Sequence, residues 1–191
     1  MPRTAGRSPE QTRRLVLDAA AAVVRRTGPG ATLDAVAAEA GLSKGGLVYH
    51  FASKETLLLA LAEDQTERFR AAVEAADDPD DGAPGRLTRA YVRTCLDEPL
   101  DPHGLRDDIL LTAQLMTIPA VRELAHADQL RWERDLAADG LPQDVVELVL
   151  AAADGASAAL LWGGEVDAAR LRRLQGRLVA MTREPTRWSA P

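Results

Sequence analysis

Gly41-Leu42-Ser43-Lys44-Gly45-Gly46-Leu47-Val48-Tyr49-His50-Phe51-Ala52-Ser53-Lys54-Glu55-Thr56-Leu57 is the stretch on which the fold turns. Ser43 and Ser53 stand where a helix N-cap is wanted, because a short side-chain oxygen can accept from the free amides of a first turn. The stretch therefore divides into a short helix running to about Phe51 and the start of a longer one at Lys54, with Glu55 in its first turn. Gly41 stops the helix before it, and Leu42 turns inward. Upstream, Thr32 caps another short helix whose apolar stripe is Leu33, Val36, Ala37 and Ala40, with Asp34 placed where a negative charge suits the helix dipole. A helix-turn-helix needs small apolar residues at its crossing, a Gly turn and a polar or small outer face on the second helix. Ala37, Ala40, Gly41, Leu42 and Leu47 meet the packing requirement, and Ser43, Lys44, Gly45, Gly46, Tyr49 and His50 form the outer face. On pattern alone, a plain helical hairpin without a nucleic-acid role meets the same conditions.

Further outward the chain stays helical. Ser8 and Pro9 open a first helix whose buried face is Val16, Ala19, Ala20, Val23 and Val24. Arg13, Arg14, Arg25 and Arg26 lie largely off that face, and Gly28-Pro29-Gly30 ends the helix. A fourth helix runs from Lys54 to about residue 76, with Leu58, Leu61, Ala62, Gln65, Phe69 and Val73 on its inner side. Residues 77–85, with Asp77, Asp78, Asp80 and Asp81 among Pro and Gly, read as a solvated loop whose spacing misses the EF-hand pattern. Helical patterns resume at 86–96, 105–117, 120–138, 143–162 and 167–182. Nothing alternates as a strand would, so the fold class is all-α.

Composition sets the limits. Hydrophobic residues make up 46% of 191 and aromatics only 4%, so the core is built from Ala, Leu and Val. The net charge of −6 is unevenly spread: residues 1–58 hold eight basic and five acidic side chains, and the rest hold 15 and 24. A positive head on an acidic body places attraction for phosphate where a DNA head needs it. The only lysines, Lys44 and Lys54, both fall in that head. Cys95 is the single cysteine, which excludes an internal disulfide and a cysteine-rich zinc site. The basic start leads into no apolar signal core, and no stretch approaches the ~20 apolar residues that span a bilayer. A cytoplasmic protein without membrane attachment is expected. His50, His103 and His126 with one Cys form no nucleophile motif or metal cluster, and Gly28-Pro29-Gly30 lacks the strand of a dinucleotide site. No catalysis, cofactor or metal is expected.

The quoted string resembles the recognition helix of the TetR family of bacterial regulators. Val16-Leu17-Asp18-Ala19-Ala20 and Thr32-Leu33-Asp34-Ala35-Val36-Ala37-Ala38-Glu39-Ala40 resemble that family's first two helices. The resemblance implies a three-helix DNA-binding head over residues 1–57, a fourth helix continuing to about 76, and a ligand-binding and dimerisation body over 77–191. It also implies a homodimer whose recognition helices enter successive major grooves of a palindromic operator in double-stranded DNA, released by a small-molecule effector. Repression is the family's usual mode; an activator, or an architectural DNA-binding protein without a ligand switch, is the alternative reading. Carried over by position, the DNA-facing residues are Lys44, Gly45, Gly46, Val48, Tyr49, His50 and Lys54, with Thr32 and Ser43 at helix N-termini that commonly hold phosphate. Gly46 stands where Thr is common and Val48 where Tyr is common, so two hydroxyls are lost and close backbone approach to DNA is expected. The basic arm, Arg3 and Arg7, either follows DNA or is an idle tail.

The stretch 151–163 resembles the family's next-to-last helix, which implies a dimer face of Ala152, Ala156, Ala159 and Trp162. Leu171, Leu174 and Leu178, with Met181, give the last helix a matching stripe, for a four-helix interface. Intramolecular core is the other reading of these stripes. Pocket walls are expected from Tyr91, Cys95, Leu111, Gln114, Leu115, Trp132 and Asp154. An apolar pocket with few polar anchors suits a hydrophobic ligand.

Overall fold

The computed structural model of the chain describes residues 7–96, 102–159 and 167–188, with the backbone alone at 102–106. Among the described residues there are nine α-helices and no strand: α1 (Pro9–Thr27), α2 (Leu33–Glu39), α3 (Lys44–His50), α4 (Lys54–Ala75), α5 (Arg86–Leu96), α6 (Pro102–Leu115), α7 (Pro119–Ala137), α8 (Gln143–Ala158) and α9 (Ala168–Arg183). The fold is all-α, and the caps act where the sequence places them. Ser8 Oγ accepts from the Gln11 amide at 3.1 Å while the Gln11 side chain accepts from the Ser8 amide at 2.9 Å, a reciprocal capping box. Thr32, Ser43 and Ser53 accept from the amides of Ala35, Gly46 and Thr56. Gly28 and Gly41, at φ of 69° and 65°, end α1 and α2 in a conformation that costs glycine nothing. No described helix is long and apolar enough to cross a membrane.

The chain packs as two compact units. The first comprises residues up to 65 together with 110–124. Its core is Val16, Ala20, Val23 and Val24 of α1, Val36 and Ala37 of α2, Leu47 of α3, Phe51, and Leu57 and Leu61 of α4. Leu111, Leu115 and Val121, which the sequence places in the body, lie in this same core. Arg14 bridges Asp18 and Asp64, and the Arg13 guanidinium lies 4.5 Å from the Phe51 ring centre.

The second unit comprises 66–109 and 125 onward. Val92 and Leu96 of α5, Val145, Val149 and Ala153 of α8, and Leu178 of α9 form one core, and Leu136, Leu141 and Val146 another. Two ionic anchors hold this unit, and sequence reading finds neither. Arg70 is buried, donating to Asp128 at 2.7 Å and to Asp135 at 3.3 Å, with its guanidinium 4.1 Å from the centre of the Trp132 ring. The expected solvated loop at 77–85 needs correction at Asp81, which is buried. Its carboxylate accepts from Arg89 Nε at 2.7 Å and from both Nη atoms of Arg183 at 2.7 and 2.6 Å. Arg89 itself is fully buried and donates further to the carbonyls of Ala83 and Pro84 and to the Thr182 hydroxyl.

A third long-range contact starts α5. The Asp139 carboxylate accepts from the amides of Leu87 and Thr88 at 3.1 and 2.7 Å and from the Thr88 hydroxyl at 2.8 Å. Gly85, at φ of 86°, sends its amide to the Asp139 carbonyl at 2.7 Å, and a Cβ there would meet Leu141 at 2.6 Å.

Replacing Asp139 with Ala removes a helix cap and leaves two partly buried amides without their acceptor, so urea unfolding is expected to show a loss of about 2 kcal/mol. The Arg89 and Arg183 guanidiniums hold the Asp81 carboxyl well below the usual carboxylate range. Its folded value is thus depressed, so its stabilisation is complete above about pH 4 and is lost as pH falls further. Asp81→Asn should lower stability at neutral pH and flatten the acid limb of a stability–pH curve.

Candidate nucleic-acid interface

The recognition surface is built from a helix too short to stand alone. α3 has seven residues, two of them glycine, and an isolated helix of that length is unstable in water. Complete burial of Leu47 and Phe51 and the Ser43 cap hold it in place. The remaining faces are thereby presented to solvent. Tyr49 is 84% exposed and Val48 39%, the first being the most exposed large apolar residue described. His50 is half-buried, with its ring edge-on to Tyr49 at 5.2 Å between centres. Lys44 and Gly45 are exposed, and Lys54 is half-buried at the start of α4.

The paired glycines differ. A Cβ at Gly46 would lie 3.3 Å from Ser43 Oγ, so the cap itself favours a small residue there. A Cβ at Gly45 would meet nothing within 4 Å. Thr32 and Ser43 lie exposed at the entries of α2 and α3, their oxygens engaged with the Ala35 and Gly46 amides. Sequence reading misses two cross-helix ion pairs on this head: Arg26 with Glu39 at 2.8 Å and Lys44 with Asp34 at 2.9 Å. Of the basic arm, Arg7 is exposed and Arg3 lies outside the described residues.

The second unit gathers part of the expected ligand site. Tyr91 donates to Asp154 at 2.9 Å, and its ring stands edge-on to Trp132 at 5.2 Å and to Phe69 at 5.3 Å. Phe69 also meets Trp132 at 5.9 Å, completing an aromatic triangle in which Phe69 is the member the sequence assigns only to core. Burial pushes the Cys95 thiol up to about 12, reinforced by the charge of Asp154. The Asp154 carboxyl is raised because desolvation outweighs the Tyr91 hydrogen bond, and the Tyr91 hydroxyl is raised mainly by burial. The structure does not bring all seven expected pocket residues into one unit. Leu111, Gln114 and Leu115 belong to the first unit, where both leucines are core and Gln114 Oε1 is buried without a hydrogen-bond partner. Among the described residues no three His, Cys, Asp or Glu side chains gather as a metal site.

Of the residues expected at a dimer face, Leu178 is buried in the core with α5 and α8. Ala152, Ala156, Leu171 and Leu174 pack partly against that core, Ala159 is half-buried, and Trp162 lies outside the described residues. Leu148 on α8 is 51% exposed.

Residues 16–61 match the family model of bacterial regulatory proteins, tetR family. Residues 85–183, over half of the chain, match that of the tetracyclin repressor-like C-terminal domain. A TetR-family member from Streptomyces coelicolor is similar in structure, with 27% identity, a TM-score of 0.66, and coverage of 88% of this chain and 98% of that one. The multidrug binding protein EbrR, solved with malachite green, is 27% identical at a TM-score of 0.66 over 87% of this chain and 96% of its own. A TetR transcription regulator from Haloarcula marismortui shares the fold at 18% identity, with a TM-score of 0.71 over 92% and 98%. No protein of curated function matches the chain in sequence. A helix-turn-helix with an outward-facing α3, carried by a chain matched along both its N-terminal and C-terminal parts, places the protein in the tetR family of DNA-binding bacterial transcriptional regulators.

Proposed function

We propose that this regulator is a cytoplasmic, non-catalytic repressor. Two copies bind a palindromic operator, and a small molecule held in the C-terminal part releases them. The observation that carries the DNA half is α3 itself, anchored by Leu47 and presenting Lys44, Gly45, Val48 and Tyr49 to solvent. A helix fixed on one face and open on the other is what major-groove entry requires. Val48 and Tyr49 offer apolar contact to thymine methyls, and open space at Gly45 lets the backbone approach a phosphate closely. Lys54, at the first turn of α4, serves as a phosphate contact. Thr32, Ser43, Gly46 and His50 complete the proposed surface.

Support for the ligand half comes from the Phe69–Tyr91–Trp132 triangle beside Cys95 and Asp154, and from EbrR, which binds malachite green. Ring faces and edges with a few polar anchors suit an aromatic, largely apolar compound. The dimer face is proposed on α8 and α9, with Ala152, Ala156, Ala159, Leu171 and Leu174 rather than the buried Leu178.

Footprinting the full-length protein on DNA flanking its own gene tests this reading. Two protected half-sites related by a dyad are expected, and Lys44→Ala should weaken binding about tenfold, the cost of one lost base contact. A uniform, sequence-indifferent footprint would overturn it. The raised thiol gives a second measurement: at pH 8, Cys95 should react with iodoacetamide roughly a hundredfold more slowly than free cysteine. Urea should abolish the difference, whereas rapid reaction of the folded protein would show that the aromatic site is not enclosed.

A further inference from the structure

Lys44 does not stand free at the head of α3. Its Nζ lies 2.9 Å from Asp34 Oδ2, in the first turn of α2. The two side chains are 61% and 67% exposed, so burial does not force them together. The other lysine of the chain, Lys54, has no ion pair with any described residue. The two therefore differ in what they can offer a polyanion.

A lysine that neutralises phosphate gains affinity through counterion release, in proportion to its charge. An ammonium with a carboxylate beside it forfeits most of that gain, because the carboxylate is repelled by the same phosphates. Its hydrogen-bonding capacity survives. Of three N–H donors, one goes to Asp34 and two remain. Two donors on a compact head suit the O6 and N7 acceptors on the major-groove edge of guanine.

We propose that Asp34 is a positioning residue that withholds Lys44 from phosphate and holds its ammonium for the acceptor edge of a base. Lys44 then contributes sequence discrimination, while Lys54 contributes general affinity. This rests on the operator-binding reading above.

The test uses the full-length protein and two duplexes of equal length, one selected from a randomised library by the wild type and one of random sequence, titrated across a salt series. Asp34→Asn should bind the random duplex several-fold more tightly and steepen the slope of log affinity against log salt by about one. The selected-to-random ratio should fall about tenfold, the scale of one base contact. Adding Lys44→Ala to Asp34→Asn should abolish the gain, and Asp34→Glu, which keeps the carboxylate, should retain the wild-type ratio. Lys44→Ala alone should weaken only the selected duplex, whereas Lys54→Ala should weaken both and flatten the slope by about one. Glu63→Gln, the same charge change at another exposed site, should leave the ratio unchanged. Thermal melting checks that each variant is folded, with Asp34→Ser replacing Asp34→Asn if that variant is not. The proposal is overturned if Asp34→Asn keeps the wild-type slope and ratio, or if Lys44→Ala flattens the slope as Lys54→Ala does. A wild type that binds both duplexes alike overturns the operator reading instead, and the slopes on the random duplex still decide the role of Asp34.

Discussion

Burial of Leu47 is the constraint from which the recognition surface follows. Seven residues with two glycines cannot hold a helix by backbone hydrogen bonds, because the cost of nucleating it exceeds what so few bonds return. The helix exists because Leu47 and Phe51 fill space prepared by α1, α2 and α4. One buried leucine thereby sets the rotation of α3, and rotation decides which side chains reach DNA. Val48 and Tyr49 face outward because Leu47 faces in. The Ser43 cap fixes where the helix begins, and Gly46 fits beneath that cap with little space to spare.

How much of this was legible in sequence depended on the range of the contacts. The head is written in neighbours: Ser8 caps over three residues, as do Thr32, Ser43 and Ser53, and apolar spacing marks each buried face. The second unit depends on partners far apart in the chain. Asp139 caps a helix that begins more than fifty residues earlier, and Arg183 reaches back to Asp81 across about a hundred. No local pattern announces such pairs, so a run of aspartates reads as solvent-facing even when one of them is buried. A buried Asp needs donors to match it, and Arg89, spaced with Val92 and Leu96 on the apolar face of α5, is a clue that the sequence does contain.

The candidate ligand residues were legible in part for a related reason. Tyr91, Cys95 and Asp154 carry chemistry that attracts attention in any helix, and they do converge with Trp132. Phe69 escaped because a phenylalanine on an inner helix face is ordinarily core. Leu111 and Leu115 had no feature to separate packing from binding, and they are fully packed in the first unit. Charge told a similar story. Counting gave the head its positive excess, yet Lys44 and Arg26 are each matched by a carboxylate on α2. Net charge describes what arrives at a surface, whereas pairing describes which groups are left to engage it.

The anchoring of Asp81 bears on how this chain can vary. A stretch rich in Asp, Pro and Gly is ordinarily where a protein accepts insertions and deletions with little penalty. Here Asp81 and Arg89 are the two ends of one ion pair, and the carbonyls of Ala83 and Pro84 between them bind the same guanidinium. Adding a residue inside this ring would pull the carboxylate from the arginine and leave both charges buried apart. Length drift among relatives should therefore be confined to the stretch before Asp81, while the stretch from Asp81 to Arg89 keeps its count even where its side chains change.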